Sequence, residues 1–194
     1  MEPSIFSVLS RKIVTAVISI GSLFYSTIPG TNASFTDLLL SIKGQQLVLS
    51  THLENCFSDE LDQVFRSGKE IKIYFRVELV QAGNNKSVKD TTFYHSISYS
   101  VLDDVFDVYL TETETRYPNL NLEQAKEFLV EIEGYRAITV DQLKKDRTYY
   151  LRLEAKMDKI KLQGMEEPLN LMFYWNSLKP VVQSTPFTQE LFTQ

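Results

Sequence analysis

The chain has 194 residues, 43% hydrophobic and 23% charged, with a formal net charge of −5. That length and composition suit one folded domain with an appendage, and exclude collagen-like, disordered and cystine-scaffold classes. Residues 1–33 carry only Glu2, Arg11 and Lys12 as charges, so the remainder is acidic, at −6, and offers no footprint for nucleic-acid phosphates and no basic face for anionic lipid.

The first thirty residues have the layout of an export signal. Arg11 and Lys12 form a short basic cluster, and an uncharged apolar stretch, Ile13 through Ile28, follows. Pro29 and Gly30 break it, and Thr31-Asn32-Ala33 then supplies small or polar residues. The apolar centre must partition into the membrane while the basic flank stays cytoplasmic, which predicts a signal peptide cut after Ala33 or an uncleaved membrane anchor. A buried core helix is the remaining alternative, and no polar face supports it. No cysteine follows the run, so a lipoprotein anchor is unsupported. The Asn32-Ala33-Ser34 sequon lies at the predicted cut and is read as chance.

Beyond Asp37 the dominant period is two. Leu38 to Ile42 and Leu47 to Leu53 read as strands joined through Lys43-Gly44-Gln45. Ser58 is a good N-cap, with Asp59 and Glu60 in the first turn, Leu61, Val64 and Phe65 as the buried stripe, and Gly68 as the stop. Ile71, Ile73, Phe75, Val77 and Leu79 then alternate with polar residues. Gly83-Asn84-Asn85 supplies the turn into Phe93, His95, Ile97, Tyr99 and Val101. Asp103-Asp104 turns the chain into Phe106, Val108 and Leu110. A second helix is predicted from Asn121, with Gln124 completing a capping box, Leu122, Ala125, Phe128, Leu129 and Ile132 on its apolar stripe, and Gly134 as its end. Asp141 to Lys145 adds a short turn. Tyr149, Leu151, Leu153, Ala155 and Met157 form the clearest strand of all.

These elements predict a mainly β protein: an antiparallel, immunoglobulin-like β-sandwich with two short inserted helices. Residues 1–33 are the signal peptide or anchor, 34–177 the sandwich domain and 178–194 a C-terminal tail. From Pro168 onward the chain is less periodic. Pro180 and Pro186 suggest a wrapping or loosely ordered end, and Leu169, Leu171, Phe173 and Trp175 are its apolar anchors.

No catalytic, cofactor or metal constellation stands out. His95 falls on an apolar strand face and reads as a satisfied core histidine, while His52 falls on the opposite face from Leu49, Thr51 and Leu53, toward solvent. A single cysteine, Cys56, allows neither an internal disulfide nor a cysteine-rich zinc site. It lies just ahead of the first helix, where a helix N-terminus could activate a thiol, but it reads as a small hydrophobe. Glu112, Glu114 and Arg116 are expected to alternate along one strand face, either as a wet edge that discourages aggregation or as carboxylates for acid–base work or a cation. Tyrosine is in mild excess. Tyr74, Tyr94, Tyr109 and Tyr150 all fall on nominally polar strand faces, which makes them a possible interaction surface unless helices or a second sheet cover them.

Several stretches together resemble a bacterial family of exported proteins known as domain of unknown function number four-three-nine-zero. They are LENCFSDELDQVFRSGKEIKIYFRVEL, NLEQAKEFL, DRTYYLRLEAKMDKIKL and PLNL, in an order that covers most of the chain between Leu38 and Leu171. They are patterns of core and turn rather than of chemistry. The resemblance implies a small exported protein and carries over no catalytic residue; the tail from Leu178 to Gln194 departs from it.

The favoured expectation is therefore a non-enzymatic envelope module that binds another envelope protein, periplasmic or held at the outer face of the cytoplasmic membrane. Membrane contact is expected only through the N-terminal segment, if that is retained. A hydrolase or carbohydrate-active site built from scattered carboxylates and tyrosines is the alternative, and a small-ligand or lipid carrier with a cavity between sheets is a third.

Overall fold

The stretches of strict alternation become the longest strands. Ile71, Ile73, Phe75, Val77 and Leu79 are buried, as are Tyr149, Leu151, Leu153, Ala155 and Met157. The two runs are antiparallel neighbours, with Ile73 opposite Met157 and Leu79 opposite Leu151, so their apolar side chains line one continuous face. The structure, a computed structural model, describes residues 31–36, 38–162 and 164–192. The basic cluster and the apolar stretch of the predicted export segment lie outside the described residues. No helix among the described residues is long and apolar enough to cross a membrane.

In chain order the first half comprises β1 (Ser34–Phe35), β2 (Leu39–Lys43), β3 (Gln46–Glu54), α1 (Asp59–Phe65), β4 (Ile71–Gln81), β5 (Lys86–Ser100), β6 (Val105–Leu110) and β7 (Thr115–Leu120). There follow α2 (Leu122–Val130), β8 (Glu131–Thr139), β9 (Thr148–Met157), the short β10 (Lys159–Ile160) and β11 (Leu169–Asn170), then β12 (Val181–Gln183) and β13 (Phe187–Thr188). A seven-stranded sheet runs β12-β9-β4-β5-β6-β7, with β13 also paired to β9. A four-stranded sheet has β3 at its centre, flanked by β8 on one side and by β1 and β2 on the other. All pairings are antiparallel, as the alternation predicts.

The protein is thus mainly β and antiparallel, with two helices. Its connectivity is not immunoglobulin-like: there, Greek-key connections send successive strands to different sheets, whereas β4 to β7 here follow one another as a meander. The hairpin turns explain this, because each is too short to leave the sheet. Gly83 and Asn85 take positive φ in the β4–β5 turn, and Asp104 does so in the β5–β6 turn.

The inner faces of both sheets and the buried sides of α1 and α2 form one apolar cluster. Phe93 on β5 stacks on Phe75 of β4 at 5.2 Å between ring centroids, and on Tyr135 of β8 at 4.5 Å, so aromatic contacts join the sheets. Both helix starts follow from their caps. The Ser58 hydroxyl accepts from the Leu61 N–H, and Asn121 and Gln124 form the reciprocal capping box.

The second helix ends earlier than Gly134. It stops at Val130, and Glu131 is already extended, at φ −85° and ψ 131°. Ile132 is therefore a buried strand residue rather than part of the helical stripe, while Glu131 and Glu133 point to solvent. Gly134, at φ +64°, sits within β8 where the register with β3 shifts, so the glycine marks a bulge and not a helix stop. Val101 also departs from expectation. Ser100 is the last paired residue of β5, so Val101 leaves the apolar face and stands exposed at the hairpin tip.

The segment after Leu178 wraps the edge of β9. Val181–Gln183 pairs with Arg152–Glu154, and Phe187–Thr188 with Thr148–Tyr149. Val182 and Phe187 are buried, and the Ser184 hydroxyl accepts from the Leu151 N–H at 2.9 Å. Trp175 is fully buried, and its Nε1–H donates to the Cys56 carbonyl at 2.8 Å, tying the wrap to the link between β3 and α1.

Candidate functional site

The outer face of the seven-stranded sheet carries Lys72, Tyr74, Arg76 and Glu78 from β4, Tyr94, Ser96 and Ser98 from β5, Asp107 and Tyr109 from β6, and Arg152, Glu154 and Lys156 from β9. All are half-buried or exposed except Ser96. Register decides which of them meet. Tyr74 lies opposite Tyr94, and their ring centroids are 5.7 Å apart. Lys156, opposite Tyr74 on the other side, places its Nζ 5.2 Å from that ring, and Lys72 places its own 4.6 Å from the ring of Tyr94. The result is a cation–aromatic ladder across three strands. A hydrogen bond donated to Glu70 holds the Lys72 ammonium above its ordinary pKa against a partial loss of solvation, so it stays charged. Partial burial, and then a hydrogen bond with Asp158, hold the Tyr74 phenol above its ordinary value, so it stays protonated.

Tyr109 lies opposite Ser96 and Arg116. It lines a hollow of 290 Å³ with Glu70, Ser96, Ser98, Asp107 and Arg116. The Asp107 carboxylate accepts from Arg116 at 2.9 Å and from the Asn119 N–H at 3.1 Å, which leaves Tyr109 framed by fixed polar groups.

Of the four tyrosines singled out from the sequence, the structure brings Tyr74 and Tyr94 together, places Tyr109 on the next strand of the same face opposite Ser96, and leaves Tyr150 apart. Tyr150 is opposite Val80, six residues along β9 from Lys156, roughly 20 Å at the usual strand rise. Between them lies an ion-pair cluster in which Arg76 bridges Asp90 and Glu78 at 2.6 and 2.9 Å. None of the four is covered by a helix or by the second sheet; all are half-exposed.

The carboxylates expected along one strand face do not share one. Thr111 to Glu114 form the β6–β7 turn, with Glu114 exposed at positive φ. The Thr111 hydroxyl accepts from the Tyr94 N–H and donates to the Tyr94 carbonyl, both at 2.8 Å, and this clamp turns Glu112 under the sheet. There Glu112 Oε1 meets His95 Nε2 at 2.9 Å, with the Glu112 side chain 9% exposed and that of His95 fully buried. His95 Nδ1 lies 3.0 Å from the Leu129 carbonyl. A carbonyl can only accept, so Nδ1 carries a proton, and one further proton lies between Nε2 and the carboxyl. His95 is the satisfied core histidine expected. Its partner was missed because nothing in the sequence marks which turn passes beneath it.

The pair has a clear structural task. α2 has no basic residue in its last turn and no glycine cap, so the Leu129 carbonyl would be left over; the imidazole N–H takes it. Cys56 is buried, its S–H donates to the Leu53 carbonyl, and burial pushes its thiol up to about 12. It therefore behaves as a small hydrophobe. His52 is half-exposed on the outer face of the four-stranded sheet, in a second hollow of 290 Å³ lined with Thr36, Ser50, Glu131 and Glu133. Neither hollow is lined by Glu112 or Glu114.

The family model described as domain of unknown function (DUF4390) matches residues 31–177. The chain belongs to this family. No curated protein and no solved structure gives a significant match. The matched span begins at Thr31, just ahead of β1, and ends before β12 and β13, so the edge-covering wrap of β9 lies beyond it.

Proposed function

We propose that this chain is an exported bacterial envelope protein that works as a non-enzymatic binding module for another envelope protein. Its contact surface is the outer face of the seven-stranded sheet around Tyr74, Tyr94 and Tyr109. The observation that carries the reading is the uncovered ladder of Lys156, Tyr74, Tyr94 and Lys72 beside the hollow at Tyr109. Tyrosines held by neighbours present large contact area at little entropic cost, and each keeps a hydroxyl for hydrogen bonding. Export is supported by the order of Arg11-Lys12, the apolar stretch and the Pro29-Gly30 break. The binding reading is favoured over a hydrolase because the carboxylates disperse: Glu112 is consumed by His95 and Glu114 stands alone on a turn. Stacked Phe75, Phe93 and Tyr135 between the sheets favour it over a carrier.

The test is site-specific photocrosslinking in the producing cell. A crosslinker at Tyr74 or Tyr109 is expected to capture one discrete envelope protein that a crosslinker at Glu133, on the other sheet, does not. Tyr94→Ala should lower that adduct several-fold without loss of folded protein. Equal capture from both sheets would refute the surface. Fractionation with intact-mass analysis tests export separately, and full-length protein in the cytosol would refute it.

A further inference from the structure

Register places several loops at one end of the seven-stranded sheet. Ile71 at the start of β4 lies opposite Ile97, Ile73 lies opposite Met157 at the end of β9, and Val105 opens β6 opposite Ser100. The β5–β6 tip, the β10–β11 hairpin loop and the turns after β11 therefore all leave the sheet at this end. Met172 confirms the last of these, since its sulfur accepts from the Met157 N–H.

That end is tipped with apolar side chains. Val101 and Leu102 stand on the β5–β6 tip, Leu102 at 97% exposure; Met165 lies on the β10–β11 loop, and Phe173, 66% exposed, and Leu178 lie on the following turns. Single exposed hydrophobes are ordinary on any surface. Five on three neighbouring segments at one end are not, although Leu39, Val88, Val181 and Leu191 are exposed outside these segments.

The first described residues lie at the same place. The Thr31 hydroxyl donates to the Tyr174 carbonyl, and Asn176 donates to the Asn32 side chain. Only Pro29 and Gly30 separate Thr31 from the uncharged stretch Ile13–Ile28, a reach of at most ~10 Å.

We infer that this end of the domain seats in the lipid interface of the membrane, with Leu102, Phe173 and their neighbours dipping into it beside the N-terminal segment. The inference rests on the export reading above. The apolar groups are separate tips rather than a groove, which suits a deformable interface better than a shaped partner. Lys159 and Lys161 alternate here with Asp103, Asp104, Glu166 and Glu167, so the attraction is apolar and independent of anionic lipid. It leaves the Tyr74–Tyr109 face, which runs up from this end, open to the side.

The experiment uses the full chain reconstituted in phosphatidylcholine vesicles, with an environment-sensitive fluorophore on Leu102→Cys, Phe173→Cys or Val88→Cys. The buried Cys56 thiol, pushed up to about 12, stays unlabelled. Brominated lipid is expected to quench the labels at positions 102 and 173 at least three-fold more than the one at 88, equally with and without anionic lipid. Buried Trp175 emission should match the unlabelled protein, which reports an intact fold. Labels at 102 and 173 that behave like 88, while the chain sediments with the vesicles, overturn the seating and leave export standing. Quenching that requires anionic lipid and disappears in salt also overturns it, as does shielding seen only in native membranes without quenching by bromolipid, which would mean a membrane protein covers this end. Full-length protein in the cytosol on fractionation removes the export reading and this inference with it.

Discussion

Tyr94 and His95 are neighbours on β5, yet the strand sends them to opposite worlds. Tyr94 faces outward, half-exposed, among lysines and a second tyrosine, where each contact competes with water. His95 faces inward between Phe75 and Phe93, with ring centroids 4.9 and 5.7 Å away, and depends on Glu112 and the Leu129 carbonyl alone. The comparison teaches where polar groups matter for folding and where they remain free for recognition. Removing one partner of a buried pair costs more than removing a member of an exposed network.

Four variants test that contrast. Glu112→Ala has the largest expected effect, a loss of about 3–5 kcal/mol in urea unfolding, because it strands a fully buried imidazole. Combining Glu112→Leu with His95→Leu should be much milder than Glu112→Ala, since no charge is left unpaired; a double variant as damaged as the single one would mean that the Leu129 cap, rather than the pair, dominates. Ser184→Ala, which removes the acceptor for the Leu151 N–H at the wrapped edge, should cost about 1–3 kcal/mol. On the outer face, Arg76→Ala should cost under about 1 kcal/mol although Arg76 engages both Asp90 and Glu78, because the Arg76 and Asp90 side chains are 44% and 42% exposed.

The last of these has a pH signature. The hydrogen bond from Arg76 holds the Asp90 carboxyl below its ordinary value of 3.8. The folded form thus favours the charged carboxylate. This small stabilisation is present above the ordinary value and is lost as pH falls through the lowered one. Salt should shrink it as well. Urea curves of wild type and Arg76→Ala that stay parallel from neutral pH to below that range would contradict the assignment. Tyr94→Ala should change stability least of all and photocrosslinking most, and a large stability loss there would show that the outer ladder holds the sheet together instead of waiting for a partner.

The strands with strict alternation were legible because a single buried face imposes a period of two on any sequence that covers it. The caps at Ser58 and Asn121 were legible because they satisfy orphan N–H groups within three residues. The end of α2 was not. Gly134 imitates a helix stop, yet pairing of β8 with β3 pulls the chain into extended form at Glu131, and a histidine thirty-four residues before Leu129 takes the carbonyl that a glycine cap would have satisfied. The strand character of Val181–Gln183 and Phe187–Thr188 was hidden for a similar reason: segments of two or three residues carry no period, and only the open edge of β9 makes them strands.

The same division runs through the candidate site. Sequence by itself placed Tyr74, Tyr94, Tyr109 and Tyr150 on polar strand faces, since side-chain direction along a strand is a local property. Register and distance are not local. Tertiary structure alone decided that Tyr74 meets Tyr94, with Tyr109 on the next strand of the same face, while Tyr150 stands ~20 Å off. It also decided that Glu112 turns inward to His95, and that five apolar tips gather at the end where Thr31 enters. Periodicity tells each residue which way to face; only the pairing of distant strands tells it whom it faces.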